Sequence, residues 1–163
     1  THLRIAKGYK RPRDGFFLRA ESFFNVATNI EHMDAEPASA PPVISSYGGV
    51  SLHEQSHGES FMALMMNRFG GQGLYLLDEP EAALSPQRQL AALTRIHDLV
   101  CDGSQFIIAT HSPILMAYPD AWIYRFDSEG VSRVDYEDTE HFQVMQTFMR
   151  DPQRMVRSLI TPD

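Results

Sequence analysis

Two adjacent carboxylates, Asp78 and Glu79, end an apolar run from Leu74 to Leu77, and Pro80 follows them at once. An apolar run of that length predicts a strand buried on both faces. Burying an unpaired carboxylate costs on the order of several kcal/mol, so the two acids must be compensated or must open onto a site. Two further stretches carry chemistry. FIIATHSP, residues 106–113, predicts a second buried strand that runs out at Thr110 and His111. QSHGES, residues 55–60, sets Ser56, Gly58 and Glu59 at the start of a predicted helix.

In an open α/β sheet, ligands bind beyond the carboxyl ends of the strands. Asp78 and His111 lie 33 positions apart, a normal length for a strand–helix–strand crossover, so neighbouring strands would bring both to one crevice. Such a crevice suits nucleotide hydrolysis. A strand-end carboxylate can hold Mg2+, directly or through water. A second carboxylate beside it can orient or deprotonate the attacking water. A histidine from the next strand can bond the transferring phosphoryl group or position that water. A serine at a helix start, with a glycine allowing close backbone approach, makes an anion site from N–H groups and the helix dipole. Each motif also has a plainer reading. Ser56 with Glu59 three residues on fits a capping box. Asp78–Glu79 fits a strand-end acid pair, and His111 before Ser112–Pro113 fits a helix cap.

The elements that must position these residues alternate between strand and helix. Residues 16–19 predict a short strand, with a turn and a helix near 22–30 after it. Residues 34–49, with three prolines and two glycines, predict a loop. Residues 56–69 predict a helix with Phe61, Leu64, Met65 and Phe69 on one face. GGQG, 70–73, stops it. A second helix runs from Pro86 to about Cys101, with Ser85 as N-cap, Pro86 at the first helical position and Gly103 at its end. Leu90, Leu93, Ile96 and Val100 are its expected apolar stripe. Residues 121–126 predict a third strand, and DSEG then VSRVDY a small hairpin. The tail, 140–160, predicts one or two helices broken near Pro152. This alternation favours an α/β domain with a largely parallel sheet flanked by helices.

The chain has 163 residues, enough for one domain with a real core. Its net charge of −7, from 14 Lys+Arg against 21 Asp+Glu, gives no support to a nucleic-acid partner, which calls for a basic surface. One cysteine, Cys101, excludes an internal disulfide and a cysteine zinc cluster, and suits a reducing cytoplasm. Its place at the end of an amphipathic helix predicts a packing role. No apolar run approaches the ~20 residues needed to span a bilayer, and no signal peptide is visible. The first residue is Thr1 rather than Met, which fits a fragment or a processed start. Phe16, Phe17, Phe23 and Phe24 predict core and interface. Trp122 and Tyr124 predict packing, and DYEDTE, 135–140, a solvated surface.

Taken together, the three motifs resemble the later portion of an ABC-type ATPase head, over residues 55–113. The apolar run with Asp78–Glu79 resembles the Walker B strand and its catalytic glutamate. Ser56, Gly58 and Glu59 resemble the signature motif, Ala83, Leu84 and Ser85 the D-loop, and His111 the switch histidine. The resemblance implies a P-loop NTPase-like α/β fold, ATP and Mg2+ as ligands, and ATP sandwiched between two heads of a homodimer. Ser56, Gly58 and Glu59 would then serve the partner's nucleotide, and Asp78, Glu79 and His111 their own. The whole of 1–163 would be the C-terminal portion of one such domain, incomplete at its N-terminal side.

The departures are informative. His57 replaces the first signature glycine, Gln55 stands where an apolar residue is usual, and Ser85 replaces the D-loop aspartate. DEPEAALSP looks like the non-transporter branch, which includes recombination, chromosome-maintenance and defence ATPases. The phosphate-cradling loop G-x-x-x-x-G-K-[ST] is not in the sequence, which contains no Gly-Lys pair. FLRAES, 17–22, occupies the place of the family's glutamine loop with Glu21 rather than Gln. Two other functions compete: a non-catalytic, degenerate module that pairs with another subunit, and a metal-dependent phosphoesterase or nuclease built on Asp78, Glu79 and His111.

Overall fold

The computed structural model describes residues 11–22, 28–30, 32–34, 42–51 and 56–161. Expectations for 1–10, for Phe23 and Phe24, for 35–41 and for Gln55 lie outside the described residues. The chain divides into two compact units, Thr1–Ala109 and Thr110–Asp163.

The first unit carries the parallel sheet. Its elements are β1 (Asp14–Arg19), α1 (His57–Asn67), β2 (Gly73–Asp78), α2 (Pro86–Cys101) and β3 (Gln105–Ala109). The strands run parallel in the order β1-β2-β3, so β2 is central. Three rows cross the sheet in register: Phe16–Tyr75–Phe106, Phe17–Leu76–Ile107 and Leu18–Leu77–Ile108. Successive strand residues point to opposite faces. The first and third rows therefore share a face, and the middle row takes the other.

The helices begin where their caps dictate. Ser85 Oγ accepts from the Arg88 N–H at 3.4 Å, and Pro86 occupies the first turn of α2. The loop 34–49 is not wholly irregular, since Val43–Tyr47 forms a short 3-10 turn closed by left-handed Gly48. Phe61, Leu64, Met65 and Phe69 are all buried, as their spacing predicts. Phe69 stacks on Tyr75 with ring centroids 4.2 Å apart. The C-terminal carbonyls of α1 have no partner within their own helix. Arg95 of α2 supplies one, donating to the carbonyls of Met65, Met66 and Phe69 at 3.2, 3.3 and 2.9 Å.

Several expectations are corrected here. The buried stripe of α2 is Gln89, Ala92, Ile96 and Leu99, whereas Leu90 is 57% exposed. Counting large apolar residues misses small Ala92, and it misses Gln89, whose amide donates to the Leu84 carbonyl at 3.0 Å. β2 and β3 are buried on one face only. Phe17 is 64%, Leu76 36% and Ile107 54% exposed. The apolar run is real, but the residues buried in these strands, Leu18, Tyr75 and Leu77, all lie on the Tyr75 side. Cys101 is exposed, not packed, with its Sγ 3.6 Å from His97 Nε2.

At the N-terminal ends of the strands the polar groups satisfy one another. Arg68 grips Asp14 at 2.5 and 3.1 Å. The Tyr75 hydroxyl accepts from the Gly70 N–H at 2.7 Å and donates to the Gly70 carbonyl at 2.8 Å, with Asp14 Oδ2 3.2 Å away. Ser104 Oγ accepts from Gly73 N–H and donates to the Gly70 carbonyl, both at 3.0 Å. Among the described residues, no buried side-chain nitrogen or oxygen lacks a partner.

The second unit contains α3 (Pro113–Met116), the antiparallel hairpin β4 (Ile123–Asp127) and β5 (Gly130–Val134), α4 (Glu140–Arg150) and α5 (Pro152–Ile160). The helical tail breaks at Asp151–Pro152, as predicted. The strand at 121–126 forms a hairpin of its own and does not join the parallel sheet. Trp122 and Tyr124 are 68% and 50% exposed rather than packed, and the Arg133 guanidinium lies 5.0 Å from the centre of the Trp122 ring. No helix among the described residues is long and apolar enough to cross a membrane.

Candidate functional site

Asp78 is the last residue of β2, and Arg19 and Ala109 lie level with it on the two flanking strands. The three end the sheet at its carboxyl side. Arg19 Nε lies 2.6 Å from Asp78 Oδ2. The Arg19 side chain is 54% exposed and that of Asp78 23%, so the pair sits at the mouth of the sheet rather than inside it. The hydrogen bond to Asp78 raises the Arg19 pKa above its ordinary value, with smaller attractions from Glu21 and Glu79. Sequence reasoning missed Arg19, although it lies in FLRAES beside the Glu21 that was singled out. Glu21 itself is exposed in the one-turn helix Ala20–Ser22.

Glu79 leaves the strand with φ 50° and ψ 50°, a left-handed backbone that is uncommon outside glycine. Such a conformation costs on the order of 1–3 kcal/mol and persists where the surroundings over-determine it. Here the Glu79 N–H donates to the Ala109 carbonyl at 2.8 Å, and its carbonyl accepts from the Ala82 N–H at 3.0 Å. Pro80 is buried behind it. The turn therefore sends the Glu79 side chain out to solvent directly beyond Asp78.

Ser56 is the N-cap of α1, and the capping box is complete. Glu59 Oε2 accepts from the Ser56 N–H at 2.9 Å, and Ser56 Oγ accepts from the Glu59 N–H at 3.4 Å. The plainer reading of this motif is thus realised in the fold. Arg88 extends it: its guanidinium reaches Ser56 Oγ at 3.1 Å and Glu59 Oε1 at 3.0 Å. The Ser56 hydrogen bonds, with a lesser contribution from Arg88, hold the Glu59 carboxyl below its usual range. Gly58 has a steric role as well. A Cβ there would lie 2.9 Å from the Ala83 carbonyl and would also press on the Arg88 side chain. Ala83, buried Leu84 and Ser85 form the turn between β2 and α2, so the two predicted loops meet at Gly58 and Arg88 within this unit. Arg88 is a second residue that sequence reasoning missed.

His111 belongs to the second unit. Its Nδ1 lies 3.1 Å from His141 Nε2, at the first turn of α4. The cap of α3 is Ser112, whose Oγ accepts from the N–H groups of Ile114 and Leu115 at 3.1 and 3.3 Å. The capping role suggested for His111 therefore falls to its neighbour.

The donor set at Asp78 can be judged against Mg2+. That ion takes hard oxygen ligands and is usually held by one or two carboxylates plus substrate phosphates. Asp78 offers a half-buried carboxylate at the open strand end, with the Glu79 carboxylate next to it in the chain, so the residues fit, with Oδ2 engaged by the Arg19 guanidinium. No cluster of three or more metal-ligating side chains occurs among the described residues. A cage made of protein ligands alone is therefore not found there.

Residues 43–117 match a family model described as AAA domain, putative AbiEii toxin, Type IV TA system. The match covers just under half of the chain and includes Ser56, Asp78, Glu79, Ser85 and His111. It is a likeness to an AAA-type P-loop domain, and the parallel α/β sheet agrees with that fold. P-loop domains of this kind bind and hydrolyse nucleotides in general. No curated protein matches the sequence.

Proposed function

We propose that the chain is part of an ABC-type ATPase head that hydrolyses ATP between two copies. The observation that carries this reading is the backbone of Glu79. A strained left-handed residue, carrying a carboxylate, follows Asp78 directly at the open end of a central parallel strand. Gln72 and Asp120 share the left-handed backbone, so what singles out Glu79 is its carboxylate directly after Asp78 at that strand end. Asp78 would hold Mg2+, directly or through water, and the ion would neutralise charge on the phosphate oxygens. Glu79 would orient the attacking water and accept its proton. His111, two residues past β3 in the chain, would hydrogen-bond the transferring phosphoryl group. Ser56 and Gly58 would present the α1 N-terminus to the nucleotide of the partner copy. Glu59 and Arg88 would fix that terminus, and Ala83–Ser85 would line the dimer interface.

The test is Glu79→Gln in the full-length chain. Turnover should fall at least about 100-fold, while Mg-ATP binding stays within about twofold of the parent (~0.4 kcal/mol). Unchanged turnover would remove Glu79 from the mechanism.

A second reading, a non-catalytic module that pairs with another subunit, draws on Arg19 and Arg88, which already neutralise Asp78 and Glu59. It predicts that the full-length chain binds no ATP but still pairs.

A further inference from the structure

The Arg19–Asp78 pair links two strand ends 59 residues apart in sequence. A salt bridge at a strand end is common, but three features set this one apart. The two residues are level across β1 and β2. Nε lies on one oxygen only, Oδ2. Glu21 and Glu79 add weaker attraction to the same guanidinium.

We propose that Arg19 is a positioning residue for the metal carboxylate: it holds Asp78 as a tethered counter-ion, and a divalent cation binds by displacing it. The inference rests on the reading of Asp78 as the metal ligand. Its physical basis is competition. Guanidinium and Mg2+ both require the ionised carboxylate, and a cation on Oδ1 would still face the positive charge that Arg19 holds on Oδ2. Because the Arg19 side chain is more than half exposed, its release costs little desolvation. Arg19 therefore keeps the acids at the strand end from repelling one another when no metal is bound. It also sets a threshold that the metal must exceed.

The experiment is a titration of the nucleotide-free full-length chain with Mn2+, reading free Mn2+ by its paramagnetic resonance signal. Arg19→Gln should bind Mn2+ roughly fivefold more tightly than the parent, the scale of an exposed ion pair. The gain should vanish in Arg19→Gln combined with Asp78→Asn. Arg13→Gln, which removes the same charge just before the other end of β1, should leave the affinity unchanged. The proposal is overturned if Arg19→Gln brings no gain, if the gain survives loss of the Asp78 carboxylate, or if Arg13→Gln matches it. If Asp78→Asn alone weakens Mn2+ binding while Arg19→Gln brings no gain, the metal reading of Asp78 stands and only the counter-ion role falls. If Asp78→Asn binds Mn2+ as tightly as the parent, Asp78 holds no metal in the absence of nucleotide and the counter-ion role falls with it. Thermal melting of each variant confirms that the comparison is between folded chains.

Discussion

The two ends of the three-stranded sheet handle charge in opposite ways. At the N-terminal end, Asp14, Arg68, Tyr75 and Ser104 are knitted to one another and to the Gly70 backbone, around a fully buried tyrosine ring. At the C-terminal end, Asp78 and Glu79 sit side by side, one held by an exposed arginine and the other on a strained backbone. The first end uses polar groups to close the fold. The second leaves carboxylates where a ligand could reach them. On the proposed reading, stability and chemistry are separated by the length of a strand, and substitutions at one end should leave the property of the other intact.

The largest expected effect tests that separation directly. Glu79→Gly removes the carboxylate but suits the left-handed backbone. Turnover of the full-length chain should fall at least about 100-fold, while the melting temperature holds or rises, by up to about 1 kcal/mol of stability. A marked loss of stability would mean that Glu79 also helps to hold the fold. The converse variant is Tyr75→Phe. Loss of the hydroxyl takes a partner from the Gly70 N–H, while its carbonyl keeps Ser104, a cost of about 0.5–1.5 kcal/mol in denaturant unfolding. Turnover per folded molecule should not change.

A subtler effect is the acid limb of stability. The Arg68 hydrogen bonds, opposed in part by burial, hold the Asp14 carboxyl below its ordinary value. A depressed folded-state pKa stabilises the fold above the unfolded value, near pH 4, and the contribution is lost as pH falls through the lower one. Asp14→Asn should therefore be less stable than the parent at neutral pH, and the two unfolding curves should converge on acidification. Parallel curves down to pH 2 would break the assignment. The smallest effect belongs to the bare face. Ile107→Thr should change stability by no more than about 0.5 kcal/mol, because the side chain is 54% exposed. A loss above 2 kcal/mol would mean that the face is covered in the full-length protein.

The local signals were legible in the sequence. Ser85 and Pro86 started α2 where expected, and the apolar residues of α1 marked its buried face. Asp78 and Glu79 fell at a strand end because the apolar run stopped there. What was not legible depends on partners distant in the chain. The level pairing of Arg19 with Asp78 follows from strand order and register, which no local pattern carries. Arg88 reaches back about 30 residues to Ser56 and Glu59. The buried stripe of α2 was misjudged because close packing selects Ala92 and a hydrogen bond selects Gln89. The one-sided burial of β2 was misjudged because an apolar run records what a strand tolerates, not what covers it. Cys101 misled for the same reason, since a small apolar side chain at a helix end can face either way.

The row Arg19–Asp78–Ala109 has a consequence for how such a chain can change over time. In a parallel sheet the strands share a common origin, and here the Asp14, Tyr75 and Ser104 cluster supplies it. Each strand then works as a ruler whose far mark is the residue at the open end, Arg19, Asp78 or Ala109. Swapping a residue alters one graduation; inserting or deleting one within β2 shifts every mark beyond it and turns Asp78 to the opposite face. The distance from Gly73 to Asp78 is therefore a more rigid feature of this protein than the identity of most residues between them, and drift in length should be confined to the connections.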